Sequence, residues 1–154
     1  MQKSWCPWRR VCNIYEMSLS LSGIVIKVGD NVTGFKIGDK VGVGCISESC
    51  LSCSACGAGE EHCCENEYTG TYNAEIKHNL ISTDTSYTYG GYSRKMTINQ
   101  RFAVRIPTAY PLECAGPVFC AGITMYSPLK YFGAGNGGKR IGIVGMIILI
   151  SYAR

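Results

Sequence analysis

The residues best equipped for chemistry are the ten cysteines, and six of them crowd into one stretch, CISESCLSCSACGAGEEHCC, from Cys45 to Cys64. Cys50, Cys53 and Cys56 repeat as C-x-x-C-x-x-C, and further thiols follow at Cys63 and Cys64. Ser52, Ser54, Ala55, Gly57, Ala58 and Gly59 keep the loop slim, so four thiolates can close a tetrahedron around one soft divalent ion. Zinc fits the spacing better than an iron–sulfur cluster. In the bacterial cluster run the fourth Cys follows closely and precedes Pro, whereas Cys64 lies farther along and precedes Glu65. Cys63 competes with Cys64 as fourth ligand, and His62 is a further alternative. A closed all-thiolate set has no open coordination position, which is the mark of a structural rather than a catalytic metal.

The surroundings of this loop exclude some functions. From Val41 to Ile76 there are six Glu and no Lys or Arg. Four thiolates on one zinc ion add a net negative charge, so this lobe repels phosphate and is not a nucleic-acid reader. The whole chain carries only +4. The N-terminal MQKSWCPWRRVCNIYEM is basic but leads into no apolar run, so no secretory signal is expected. The longest apolar stretch, Ile141 to Ile150, is broken by Gly142 and Gly145 and is half of the about twenty residues that a membrane helix needs. A cytoplasmic location follows, where thiols stay reduced and clustered cysteines read as metal ligands.

The elements that must position the loop are mostly strands. The 154 residues include nineteen Gly and ten Tyr between short Val/Ile runs, a composition of strands and tight turns with enough length for one core and part of a second domain. Residues 1 to about 18 show no clear period. From Gly23, GIVIKVGDNVTGFKIGDKVGVG predicts two strands around Gly-Asp turns, which the cysteine loop then interrupts. Asn73 to Thr85 reads as a loop or a two-strand excursion, and the β region resumes near Tyr87 with TYGGYSRKMTI and FAVRI. After Pro111 the pattern changes to a helix through about Tyr126, which Pro128 kinks or restarts. RIGIVG, Arg140 to Gly145, predicts a buried strand of an α/β sheet.

In this order, GIV-x-x-VG, F-K-x-GD-x-VGVG, the cysteine loop, TYN, YGGYS, VRIP and CAGITMYSPLKYFG resemble the plant cinnamyl-alcohol dehydrogenases, members of the zinc-dependent medium-chain alcohol dehydrogenases. The resemblance runs from about Gly23 to Gly145. It implies a mainly β fold with some α: a GroES-like partial barrel at 19–117 with a zinc lobe at 45–67, then a linking helix and the start of a Rossmann domain at 118–154, with 1–18 unmatched. It assigns the structural zinc to Cys50, Cys53, Cys56 and Cys64, favouring Cys64 over Cys63. The family reaction is NADP-dependent interconversion of cinnamyl-type alcohols and aldehydes at a second, catalytic zinc.

Carried over by position, Cys120 is the surviving ligand of that catalytic site. The family's Gly-His-Glu falls on Ser18, Leu19 and Ser20, and Cys6 and Cys12 lie in no matching motif. Thr124 corresponds to a position near the nicotinamide, and here reads better as a core-facing helix residue. Gly145 is the first Gly of the dinucleotide turn, but Met146, Ile147 and Ile148 replace the glycines that let a backbone approach pyrophosphate. The expectation is a form truncated at both ends and inactive alone. The alternative to an enzyme is a non-catalytic zinc-stabilised β module that associates with full-length relatives.

Overall fold

The computed structural model of the protein describes residues 11–16, 21–81, 86–91 and 94–142. Among them the strands in chain order are Val11–Glu16 (β1), Ser22–Val28 (β2), Lys40–Val43 (β3), Ile46–Glu48 (β4), Thr69–Gly70 (β5), Tyr72–Glu75 (β6), Tyr87–Tyr89 (β7), Lys95–Asn99 (β8) and Ala103–Arg105 (β9). Five form one antiparallel sheet in the order β8-β1-β2-β3-β9. β1 lies inside the segment whose sequence shows no period. Its Cys12 opposes Val28 on one side and Ile98 on the other, so its place is set by partners distant in the chain.

The order of strands makes this sheet curl. β8 and β9 occupy opposite edges, yet only the 3-10 turn Gln100–Phe102 joins them. Five flat strands would hold their outer edges about 19 Å apart, while the chain from Asn99 to Ala103 reaches at most about 14 Å. The sheet therefore bends toward a barrel, and β8 and β9 remain unpaired with each other. Inside the curl lie Leu21, Val25, Val41, Val43, Ile98 and Phe102, with Val25, Val41 and Ile98 wholly buried. Each such side chain contributes about 1.5–3 kcal/mol by leaving water.

A second cluster, Ile106, Leu112 and Ala115 with Ile24 and Phe119, docks the following segment onto the sheet. Gly42 is required for this docking, because a Cβ there would lie 2.0 Å from the Phe119 ring. Gly42→Ala should evict that ring and cost about 1–3 kcal/mol, read as a lowered urea midpoint. The Lys40 ammonium fixes the same segment by donating to the carbonyls of Thr108 at 2.9 Å and Tyr110 at 3.0 Å.

Among the described residues there are two α-helices, Ser54–Gly57 (α1), between β4 and β5, and Ala121–Tyr131 (α2), after β9. α2 runs through Pro128 without ending at Tyr126, a difference from the sequence expectation. Pro removes one amide donor and favours a helix start, but the turns on either side keep their own bonds, such as Phe132 N–H to the Pro128 carbonyl at 2.9 Å. The polar stretch after Thr71 contributes β6, which pairs with β7 in a separate two-stranded sheet. Arg140 to Gly142 are not in a strand. The rest of the expected RIGIVG strand lies outside the described residues.

One ion pair gives the sheet a pH dependence. The Lys36 amide and then the Arg105 guanidinium, 2.8 Å away, hold the Asp39 carboxyl below the usual carboxylate range. A lowered folded pKa means stability that is present above the unfolded value, about 3.9, and lost as pH falls through the folded one. Asp39→Asn should therefore destabilise by a constant amount above about pH 5, with the difference from the parent shrinking toward pH 3. Urea unfolding at several pH values measures it.

Candidate metal centre

The cysteine loop is built by a tight reversal and a single helical turn. Leu51 adopts φ 56, a left-handed conformation that a branched side chain rarely takes. The reversal points the amides of Ser52 and Cys53 at Cys50 Sγ, 3.5 and 3.3 Å away. α1 then carries Cys56 inward, where it is 1% exposed and its Sγ lies 3.2 Å from Ser49 Oγ. The 3-10 turn Glu61–Cys63 returns the chain so that Cys64 is buried and Cys63 exposed.

The Sγ atoms of Cys50, Cys53, Cys56 and Cys64 all lie within 4.8 Å of one another. Cys50 and Cys56 are 3.9 Å apart, close to the about 3.8 Å edge of a tetrahedron with zinc–sulfur arms of about 2.3 Å. Neither Cys63 nor His62 joins the group. The thiols are prepared unequally. The Asn66 side chain and the amides of Ser52 and Cys53 bring Cys50 down to about 5. Backbone groups at Cys56 and Glu65 also lower Cys53. Ser49 acts to lower Cys56, but burial and the thiols of Cys53 and Cys64 prevail and push it up to about 11. A cation that displaces the remaining protons is the natural occupant of such a set.

Arg101, which the sequence reading missed, fastens this lobe to the main sheet. Its guanidinium donates to the Cys56 carbonyl at 2.8 Å and pairs with Glu61, whose carboxyl it lowers against the opposing effect of burial. A positive charge bonded to the backbone of one ligand also offsets the excess negative charge of four thiolates on a divalent ion. Arg101→Gln should weaken zinc about tenfold, the lower end for outer-shell partners, in a competition titration with a chromophoric chelator. No spacing rule connects Arg101 to a loop that ends 37 positions earlier.

Among the described residues, those implied for chemistry elsewhere do not join a second cluster of this kind. Cys120 sits exposed at the start of α2, outside the four-sulfur group. The neighbouring thiol is Cys45, just past β3, pushed up by burial and then by Cys120. The chain's two histidines, His62 and His78, both belong to the cysteine-rich lobe and its flank, and His78 Nε2 lies 2.7 Å from the Glu67 carbonyl. Thr124, expected to face the core, is exposed instead, and its hydroxyl donates to the Cys120 carbonyl at 2.6 Å. A helical Thr satisfies its hydroxyl within its own helix in this manner. Cys6, Ser18, Leu19, Ser20 and Gly145 lie outside the described residues, and Cys12 lies in β1. Among the described residues no helix is long and apolar enough to cross a membrane.

Residues 9–108 match the alcohol dehydrogenase GroES-like domain, and the chain belongs to that family. Its relatives include the probable cinnamyl alcohol dehydrogenase 6 of Oryza sativa, 48% identical over 82% of this chain and 34% of the relative. An NADP-dependent alcohol dehydrogenase C of Mycolicibacterium smegmatis is 43% identical over the same share of this chain. The fold is that of a Sorghum bicolor cinnamyl alcohol dehydrogenase, with TM-score 0.68 and 32% identity over 84% of this chain and 41% of that one. A Helicobacter pylori cinnamyl alcohol dehydrogenase solved with NADP(H) gives TM-score 0.69 and 29% identity over 82% and 42%. The chain spans about a third of the length of the curated relatives it matches.

Proposed function

We propose that this chain is a structural-zinc module of the cinnamyl-alcohol dehydrogenase type and does not by itself catalyse the family reaction, the NADP-dependent interconversion of cinnamyl-type alcohols and aldehydes. The observation that carries the first half is the convergence of four cysteine sulfurs within 4.8 Å. Cys50, Cys53, Cys56 and Cys64 would hold the ion, which supplies a cross-link between the ends of a loop that has little apolar core. In domain terms, the GroES-like unit is the expected 19–117 with its lobe at 45–67, extended back to take in β1, which lies between β2 and β8 in the same sheet and within the matched residues 9–108; 118–154 is the linking helix and the start of a nucleotide-binding domain.

The second half rests on the side chains at the positions that match the family's catalytic and cofactor motifs. Polarising a carbonyl needs a Lewis acid with an open position, usually held partly by imidazole or carboxylate. Cys120 offers a thiol, but Ser18, Leu19 and Ser20 offer neither imidazole nor carboxylate. Met146 and Ile147 stand where pyrophosphate would need close-approach glycines. Purified chain mixed with cinnamaldehyde and NADPH should consume no cofactor above background, and metal-dependent turnover would overturn this part.

Association with full-length relatives is the accompanying reading. α2 carries it, with Ile123, Tyr126 and Tyr131 exposed along one helix and Phe132 just beyond. Co-expression with a full-length relative should yield a mixed species by size-exclusion chromatography, one that Tyr126→Lys diminishes. Strictly separate elution would contradict it.

A further inference from the structure

We propose that the cavity enclosed by β4, β7 and β8 binds a small organic ammonium, with Glu48 as its counter-charge. The site is separate from the four-sulfur group, and the proposal goes beyond the structural-zinc reading without depending on it. The cavity has a volume of about 220 Å³. That is several times the about 30 Å³ of one water in the liquid, and less than the about 300 Å³ at which pockets for drug-sized ligands begin. A molecule with a single ring is the size that fits.

The charge comes from Glu48, which is 2% exposed. Its Oε1 accepts the Ile81 amide at 3.1 Å, and because both residues line the cavity, the carboxyl group stands in the wall. Its Oε2 is buried and has no hydrogen-bond partner among the described residues. Neighbouring hydroxyls of the wall are already engaged. Ser47 donates to the Thr69 carbonyl at 3.2 Å, while Thr88 accepts the Ala74 amide at 3.0 Å and donates to the Gly70 carbonyl at 2.9 Å. A buried oxygen left unanswered is costly, and a donor that also carries positive charge answers both the lone pairs and the charge.

One free oxygen also selects among cations. A guanidinium fork is matched by two oxygens, and Ile81 occupies one of them, so the compact ammonium fits better. A hard divalent ion needs several oxygen ligands, and Glu48 joins no group of three ligating side chains among the described residues. Tyr87 and Tyr89 line the same cavity, are exposed, and point to one side of β7 by the two-residue period of a strand. Their rings suit the face of an organic ammonium, and Ile76, Ile81 and Met96 suit its carbon frame. Lys95 lines the cavity as the opposing charge, but it is exposed and water screens it.

Titration of zinc-loaded full chain with benzylamine, followed by amide NMR shifts, tests this, with benzyl alcohol and benzoate as the neutral and anionic counterparts of the same ring. Benzylamine should bind with a Kd of about 1 mM, benzyl alcohol about tenfold more weakly, and benzoate not at all. The shifts should centre on Ile81, Thr88 and Thr97. Glu48→Gln keeps an acceptor for the Ile81 amide and should bind the amine no better than the alcohol, with zinc content confirming that the variant is folded. Tyr87→Ala, at a side chain 51% exposed, should weaken the amine about threefold. Equal binding of amine and alcohol by the parent chain, or a preference for the amine that survives in Glu48→Gln, would overturn the proposal. So would cavity amides that stay unmoved at about 10 mM benzylamine, the result for a cavity that takes up water alone.

Discussion

Cys53→Ser should strip the chain of zinc and open the lobe at 45–67 while leaving the main sheet folded. The reason is the near absence of apolar packing in the lobe. Its buried residues are Ser47, Glu48, Ser49, Cys56 and Cys64, three of them polar and two of them proposed ligands. Small zinc sites of this kind draw on the order of 10 kcal/mol or more from metal binding, and no other interaction in the lobe approaches that figure. The Ser54–Glu65 hydrogen bond and the Lys77–Glu67 ion pair are exposed, so each adds at most about 1 kcal/mol. Metal analysis should find no bound zinc in the variant, and limited proteolysis should cut between Cys45 and Glu67. Cys63→Ser serves as the control and should retain both metal and protection.

The second large effect belongs to the sheet. Ile98→Ala should cost about 2–5 kcal/mol, the range for deleting a fully buried branched side chain and leaving a cavity. Ile98 is 0% exposed, lies on β8 opposite Cys12, and packs in the cluster formed by Val25, Val41 and Phe102. Native domains are stable by only about 5–15 kcal/mol, so this single change removes a sizeable share. Ile37→Ala, at a side chain 64% exposed, should shift the urea midpoint little. An equal loss at both positions would contradict the assignment of the core.

What the sequence displays and what it hides divides along physical lines. The cysteine spacing is local, so Cys50, Cys53 and Cys56 are visible at once as ligands on one loop. β2 and β3 are visible for the same reason, since Val/Ile runs bounded by Gly-Asp turns write their own limits. β1 is different: its residues Cys12, Asn13 and Tyr15 make no apolar alternation, and its place comes from pairing with β2 and β8. Pro128 suggests a break only if its neighbours supply no helical bonds, and they do. Thr124 reads as core-facing from its helix alone, but in α2 the buried residue is Gly122, which lies against Val118 of the turn before it, and most of the helix is exposed. Arg101 acts across a long separation, where residue type gives no warning.

The number of zinc ions per chain separates a structural-zinc module from a catalytic one. Metal analysis of protein purified without added chelator should give one zinc, eliminated by Cys53→Ser and unaffected by Cys120→Ser. Two zinc ions, one of them lost with Cys120, would restore a catalytic centre and contradict the account, as would a folded chain that contains none.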